Sequence, residues 1–453
     1  MNIAPHHLRE RRTGSAPRRR RRRNAVVSIA SGVGVVAGLV LVYAAVLGPS
    51  QAGTQPLLAG FEARSYAPGQ VAELDITGGG TSRATLQLFV AGASGASAAA
   101  LPDEAQGGWD RTTFGRSVTA PQQVQRPAGS DHWLVPVQLG SDWPSGDYVA
   151  RLTWPGHTDY APFVLRPSRL GTQPVLVVEP TNTWHAYDVV EGDSWYLDPK
   201  VHVIDLTHPF AGYSVRGARV PSGLPEQFWR FDLGFLRWYW RSGYRADFVS
   251  DDDLERIASA GQLRRYCLIV FAGHEEYVTS HMYDVITRYR DHGGNLAFLA
   301  ANNFFYKVVV HGNTMLGRTR WRDIGRPEAA LVGSQYVGWD EAKYPNRPYH
   351  FVNTRAAPWL FAGTNIHNGT RLGRYGIEID EPNEVSPAGT KVLAEIPNAF
   401  GRGKPADMTI YRQGRSTVFD AGAMNFGASA HWPSVSRLVS NLWSHLSGET
   451  ADS

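Results

Sequence analysis

Hydrophobic and polar positions along the chain fall into three successive patterns. From Phe61 to Pro167 they alternate with period two. Ala72, Leu74 and Ile76 are set against Glu73 and Asp75; Trp133, Val135, Val137 and Leu139 form a second set, and Tyr148, Ala150, Leu152 and Trp154 a third. Alternation of this kind marks strands with one buried face, and Pro68-Gly69, Gly78-Gly79-Gly80 and Pro144-Ser145-Gly146 supply turns between them. Residues 61–167 are therefore expected to form an all-β, immunoglobulin-like sandwich. The Gly/Ala/Ser-rich stretch 91–108 reads as a long surface loop. No cluster of ionisable residues there suggests chemistry, so a spacer or binding module is expected.

Beyond Arg166-Pro167, short continuous apolar runs alternate with helical segments. Val175–Val178, Cys267–Phe271 and Leu296–Leu299 read as buried strands. Phe228–Ser242 reads as an aromatic-rich helix ending at Gly243, and Met282–His292 as a helix closed by Gly293-Gly294. Val435, Leu438, Val439, Leu442, Trp443 and Leu446 hold one helical face over three turns. The pattern predicts one α/β domain over 168–449, built on a parallel sheet covered on both faces, with 48–60 as a linker. There is no internal repeat.

The third pattern lies at the start. Ala25–Leu47 is an uncharged apolar stretch of 23 residues. As a helix it would span about 34 Å, enough for a hydrocarbon core of ~30 Å. Six arginines, Arg18–Arg23, precede it directly and none follows until Arg64. The positive-inside rule then predicts a single-pass cell-membrane anchor, with residues 1–24 cytoplasmic and everything after about Gly48 extracytoplasmic. A cleaved signal peptide ending near Ser50-Gln51-Ala52 competes with this reading, although 23 residues exceed the ~7–15 of a usual signal core.

Composition narrows the classes. A chain of 453 residues that is 43% hydrophobic and 11% aromatic can bury a large core, which excludes wholesale disorder. The net charge of +4 divides into +8 on residues 1–24 (nine Arg, one acid) and −4 on the remainder. The basic balance is thus a property of the tail, and no nucleic-acid partner is expected. The single cysteine, Cys267, excludes an intrachain disulfide framework and a multi-thiolate zinc site. Amid apolar neighbours it reads as an inert buried thiol.

Ligands of open α/β sheets bind beyond the carboxyl ends of the strands, and three segments fall there. Asn182, Trp184 and Tyr187 follow the first strand. Gly273-His274-Glu275-Glu276-Tyr277 follows the second, and Asn302-Asn303 the third. His274, Glu275, Glu276 and Tyr277 offer an imidazole, two carboxylates and a phenol, groups that move protons or ligate metals, and are the catalytic candidates. Asn182, Trp184, Tyr187, Asn302 and Asn303 are the substrate-binding candidates. A structural alternative has Glu275 and Glu276 favouring the start of the helix near Ser280, with His274 capping the turn. Asp251-Asp252-Asp253 reads as a helix start capped by Ser250, with Asp253 in a capping box, rather than as a metal cluster. No nucleophile elbow, Walker loop, HExxH or Rossmann glycine motif is present.

Taken in order, Asn182-Thr183-Trp184-His185-Ala186-Tyr187, Asp247–Leu254, Gly273–Tyr277, Asp291–Leu299 and Asn302-Asn303-Phe304 resemble the C-terminal domain of the large subunit of N,N-dimethylformamidase and its relatives, over roughly 170–449. The resemblance implies a three-layer fold akin to class I glutamine amidotransferases, flavodoxin-like in outline. It also implies hydrolysis of a small amide at a mononuclear iron held by two tyrosines and a glutamate. By motif Tyr277 matches one ligand, with His274 and Glu275 beside it; Glu275 stands where relatives often carry proline. The second tyrosine would come from Tyr239 or Tyr244. The glutamate should precede Arg326-Pro327, yet His311–Gly325 contains none and the nearest is Glu328.

Two functions follow. One is an exported, membrane-anchored hydrolase of small amide C–N bonds. The other is a non-catalytic surface protein that binds an envelope glycan or peptide through Trp184, Tyr187, Trp238 and Tyr277.

Overall fold

The computed structural model describes residues 57–78, 81–93, 115–130, 132–190, 194–197, 201–211, 220–340 and 343–449. The arginine run, the apolar stretch 25–47, the cleavage candidate at 50–52 and positions 94–108 of the Gly/Ala/Ser-rich stretch lie outside them. Among the described residues no helix is long and apolar enough to cross a membrane. The described residues all fall within one compact unit, Pro49–Ser453.

The period-two runs form two sheets. Val71–Thr77 lies between Leu58–Phe61 and His132–Gln138, all antiparallel. In the second sheet Gly146–Trp154 pairs with Arg83–Ala91 on one side and His157–Leu165 on the other, with shorter strands at the edges. Inward residues from both, among them Leu74, Ile76, Trp133, Leu88, Ala150 and Phe163, share one apolar core. The alternation thus does what its period requires, placing every second side chain in that core.

The continuous apolar runs form the centre of a nine-stranded sheet. Five strands run parallel, in the spatial order Asp247–Ser250, Val175–Glu179, Leu268–Phe271, Asn295–Phe298, Ser416–Asp420. Counted along the chain that order is 2-1-3-4-5. Four antiparallel strands extend the sheet: Ala406–Gln413, Lys391–Ile396, Arg347–Phe351 and Arg371–Tyr375. This extension was not anticipated from the sequence.

Both faces are covered, because alternate residues of one strand enter different cores. Val175, Val177, Leu268 and Val270 pack with helices Leu233–Ser242 and Pro433–Ser447. Leu176, Val178, Ile269 and Phe271 pack with helix Ser280–Asp291. Gly243 closes its helix at φ 76°, a left-handed conformation open to glycine without cost.

Cys267 departs from expectation. The strand begins at Leu268, and Cys267 stands exposed one residue before it, its N–H donating to the Pro174 carbonyl at 2.8 Å. The Asp251–Glu255 helix starts as expected: Ser250 N–H donates to Asp253 Oδ2 at 3.1 Å while Asp253 N–H donates to Ser250 Oγ at 3.4 Å. The sandwich is joined to this region. Phe248 N–H donates to Ser145 Oγ at 2.7 Å, and the Arg64 guanidinium binds Asp252 and donates to Asn182 Oδ1 at 2.7 Å.

Candidate functional site

The three loops picked out by sequence meet at the carboxyl edge of the parallel strands. Phe304 N–H donates to the Glu275 carbonyl at 2.6 Å and Tyr306 N–H to the Glu276 carbonyl at 2.9 Å. From there Tyr277–Thr279 and Tyr306–His311 run on as a parallel pair in a separate four-stranded sheet. Asn302 and Phe304 both sit at φ 58°, rare for residues with a side chain. The Asp380 carboxylate holds the first of them by accepting its N–H at 2.9 and 3.1 Å. Gly273 is required for space, since a Cβ there would lie 1.9 Å from Asp232 Oδ1.

At the centre Glu276 Oε2 accepts the Tyr187 hydroxyl at 2.8 Å and the Tyr196 hydroxyl at 3.2 Å, and the Tyr196 and Tyr277 hydroxyls bond to each other. His274 Nε2 lies 3.6 Å from Glu276 Oε2 and 3.4 Å from Glu378 Oε2, within ion-pair reach of both. His274 and Tyr277 are 0% exposed, Glu276 2% and Glu378 4%. Burial first, and then the Glu378 charge, push the Glu276 carboxyl up to about 8, against hydrogen bonds from Tyr187, Tyr196 and Asn302 that favour its ionised form. Burial, followed by the charge of Glu276, likewise raises the phenols of Tyr187, Tyr196 and Tyr277. Tyr306 stacks on Tyr277, ring centres 5.4 Å apart. The arrangement can store and pass protons: two carboxyls share one imidazole, and phenols point at one of the carboxyls.

Other sequence candidates are placed differently. Glu275 turns away from His274. Burial, and after it the charges of Asp251 and Asp232, raise its carboxyl. Asn182 is committed to structure: it receives Arg64, its Nδ2 donates to the Tyr277 carbonyl at 3.1 Å, and its N–H donates to Asp251 Oδ2 at 2.7 Å. Asn303 spans its own loop, accepting the Glu275 N–H at 3.4 Å and donating to the Ala300 carbonyl at 3.0 Å. Trp184 donates from Nε1 to Asp232 at 2.9 Å, and both Trp184 and Trp238 are core residues. They cannot offer a sugar-binding face. The helix-start alternative for Glu275 and Glu276 fails as well: a strand intervenes, and Thr279 caps the helix by accepting the Met282 N–H at 3.1 Å.

Sequence reasoning missed Tyr196, Glu378 and Arg318. Glu378 arrives from the two-stranded pair Gln335–Trp339 with Glu378–Glu381, and nothing local marks it. Arg318 does carry a signal, Gly317 before it within an otherwise regular strand. The pairing of Tyr306–His311 with Thr314–Arg320 slips there, and Gly317 has φ 69°. A bulge of this glycine type re-aims the next side chain. The Arg318 guanidinium consequently lies 5.8, 5.6 and 5.2 Å from the ring centres of Trp195, Tyr196 and Tyr306.

The second tyrosine and the glutamate named from the resemblance stand apart from Tyr277. Tyr239 accepts the Ala246 N–H at 3.0 Å and packs on Phe248 and Trp443, in the core that holds Val175 and Val177. Tyr244 packs on Trp443 there too. Glu328 is bound by Arg322. Tyr196, Tyr277 and Glu276 do meet, but the fixed positive charge of Arg318 stands at the same phenols, and a second cation there is opposed by it. Among the described residues no group of three or more His, Cys, Asp or Glu is arranged to hold a metal.

Comparison with known proteins agrees with the motif order. The N,N-dimethylformamidase beta subunits of Alcaligenes sp and Paracoccus aminophilus are 26% and 25% identical to the chain, over 40% and 39% of it. The match spans 27% of each of those subunits, so the chain corresponds to about a quarter of their length. The sulfur carrier protein SoxY from Chlorobium limicola f thiosulfatophilum shows 11% identity over 29% of the chain with a TM-score of 0.13, too low to bear on the fold. A family model matches residues 102–436, from before the end of the sandwich segment to the last helix. The chain belongs to the N,N-dimethylformamidase beta subunit-like, C-terminal family.

Proposed function

We propose that the chain hydrolyses the C–N bond of a small amide at Glu276, Glu378 and His274, by acid–base chemistry of its own side chains. The observation that carries this is the pair of buried carboxyls within 3.4–3.6 Å of one imidazole nitrogen. Like charges so close cannot both ionise freely, so one carboxyl holds a proton while the other is open to accept one. The ionised carboxyl takes a proton from water as its oxygen bonds to the amide carbon. The Tyr277 hydroxyl exchanges its bond to Tyr196 for one to the oxyanion that forms. The protonated carboxyl gives its proton to the departing nitrogen, the C–N bond breaks, and acid and amine leave.

The supporting context is the family, together with the 2-1-3-4-5 strand order. That order favours the flavodoxin-like, glutamine amidotransferase-like reading, as the two sheets around one core favour the immunoglobulin-like one. The arginine run and the apolar stretch after it support an anchored, extracytoplasmic protein. The glycan-binding alternative loses its aromatic face, because Trp184 and Trp238 are interior.

The test is amine release from a panel of formamides and acetamides by the purified full-length chain. Glu276→Gln and Glu378→Gln are each expected to lower turnover by about 10²-fold or more. No turnover on any amide, or unchanged rates in both variants, overturns the proposal. Near-stoichiometric iron with a tyrosinate charge-transfer band would overturn its metal-free route.

A further inference from the structure

We infer that this site selects amides that also carry a carboxylate, and that Arg318 is the residue that binds it. This rests on reading the site as one for amides, and goes beyond it by naming the substrate class.

Arginine side chains at a protein surface usually pair with acids. Arg318, although exposed, faces aromatic rings instead. Three aromatic rings, those of Trp195, Tyr196 and Tyr306, surround its guanidinium within 6 Å. Among the described residues no carboxylate forms an ion pair with it. Rings hold a guanidinium by its face and leave its edge N–H groups free for a planar, two-oxygen anion. The bulge at Gly317 gives the placement a cause in the fold rather than in side-chain drift.

Position supplies the second half of the argument. Arg318 lies over the ring of Tyr196, whose hydroxyl bonds both Tyr277 and Glu276. The cation and the proton-transfer group are thus joined through one side chain. His274, Glu276 and Glu378 are buried, whereas Tyr196 and Tyr306 are partly exposed and Arg318 is exposed. Arg318 therefore stands on the solvent side of the centre. A small molecule that enters there with its carboxylate on Arg318 presents the adjoining amide to Glu276. Short N-acyl amino acids have this form.

Binding tests the inference without turnover. N-Acetylglycine and its neutral counterpart N-acetylglycinamide are titrated into the full-length chain at pH 7 by calorimetry. The carboxylate form is expected to bind at least about tenfold more tightly, the size of one charge-assisted contact. Arg318→Leu is expected to abolish that preference in a protein that still folds, as its far-ultraviolet circular dichroism checks. Equal binding of the two probes, no saturable binding of either, or a preference that survives in Arg318→Leu overturns the inference. A preserved preference in a protein that cleaves no amide would sink the hydrolase proposal and leave the carboxylate site standing. Cleavage of amides without the preference would do the reverse.

Discussion

At the scale of single residues, the site depends on what is absent as much as on what is present. Gly273 has an unremarkable backbone conformation and needs only its missing side chain, since Asp232 occupies the space. Asp232 in turn is fixed by the Trp184 indole at 2.9 Å and cannot yield freely. Gly273→Ala is expected to cost about 1–3 kcal/mol, as overpacked interiors do, read as a lower melting temperature. Wild-type stability in that variant would show that the approach to Asp232 relaxes. The four neighbours His274–Tyr277 were legible as a dense polar loop, but which way each points was not. Glu275 and Glu276 are adjacent in sequence and their carboxyls join different groups. One enters a buried acidic cluster with Asp251, the other the imidazole with Glu378. Composition and spacing carry no information on that divergence.

At the scale of elements, the capping box at Ser250 connects local sequence to the site. It starts the helix in which Asp251 accepts the Asn182 N–H, and Asn182 holds the Tyr277 carbonyl. Ser250→Ala is expected to cost about 1 kcal/mol in urea denaturation, the usual value of a lost cap. A cost near zero would mean that the parallel pairing of Glu179 with Ser250 alone fixes the helix start. Caps, turns and apolar runs were readable because each is a property of consecutive residues. The antiparallel extension from Arg347 to Gln413 was not, because its strands are short, half-polar and broken by register shifts.

For the molecule as a whole, burial of acids outweighs their pairing. Burial lifts Asp159, whose carboxylate accepts the Ala59 N–H at 3.0 Å, to about 7; it lifts Asp407 to about 7 and Asp420 to about 8. Each of these groups holds in the folded state a proton that the unfolded chain has lost above pH ~4. The folded state then binds more protons than the unfolded one, so stability falls as pH rises toward 7–8. Histidines buried in neutral form act in the opposite sense. His431, lowered by burial to about 4, costs stability only below its ordinary 6.5. Between pH 6.5 and 8 the carboxyls act alone, and the melting temperature is expected to fall across that window, with a shallower slope in Asp159→Asn. A flat or rising profile by calorimetry would contradict this balance. The sandwich segment, expected as a spacer or binding module, contributes Asp159 to this balance and Arg64 to the site's support.

By itself the sequence determined the quantities that neighbours along the chain decide. These are the period-two sandwich, the buried parallel strands with their helices, the helix caps, the order of motifs that marks the family, and the loops at the strand ends. Tertiary structure decided what depends on residues distant in sequence meeting in space. It brought Glu378 to His274, joined Tyr196 to Tyr277 through their hydroxyls, sent Tyr239 into the core, and turned Arg318 toward the phenols through one glycine bulge. The physical reason is range. Hydrophobic period and backbone capping act over three or four residues, whereas hydrogen bonds, burial and charge act between whatever the fold brings within a few ångströms.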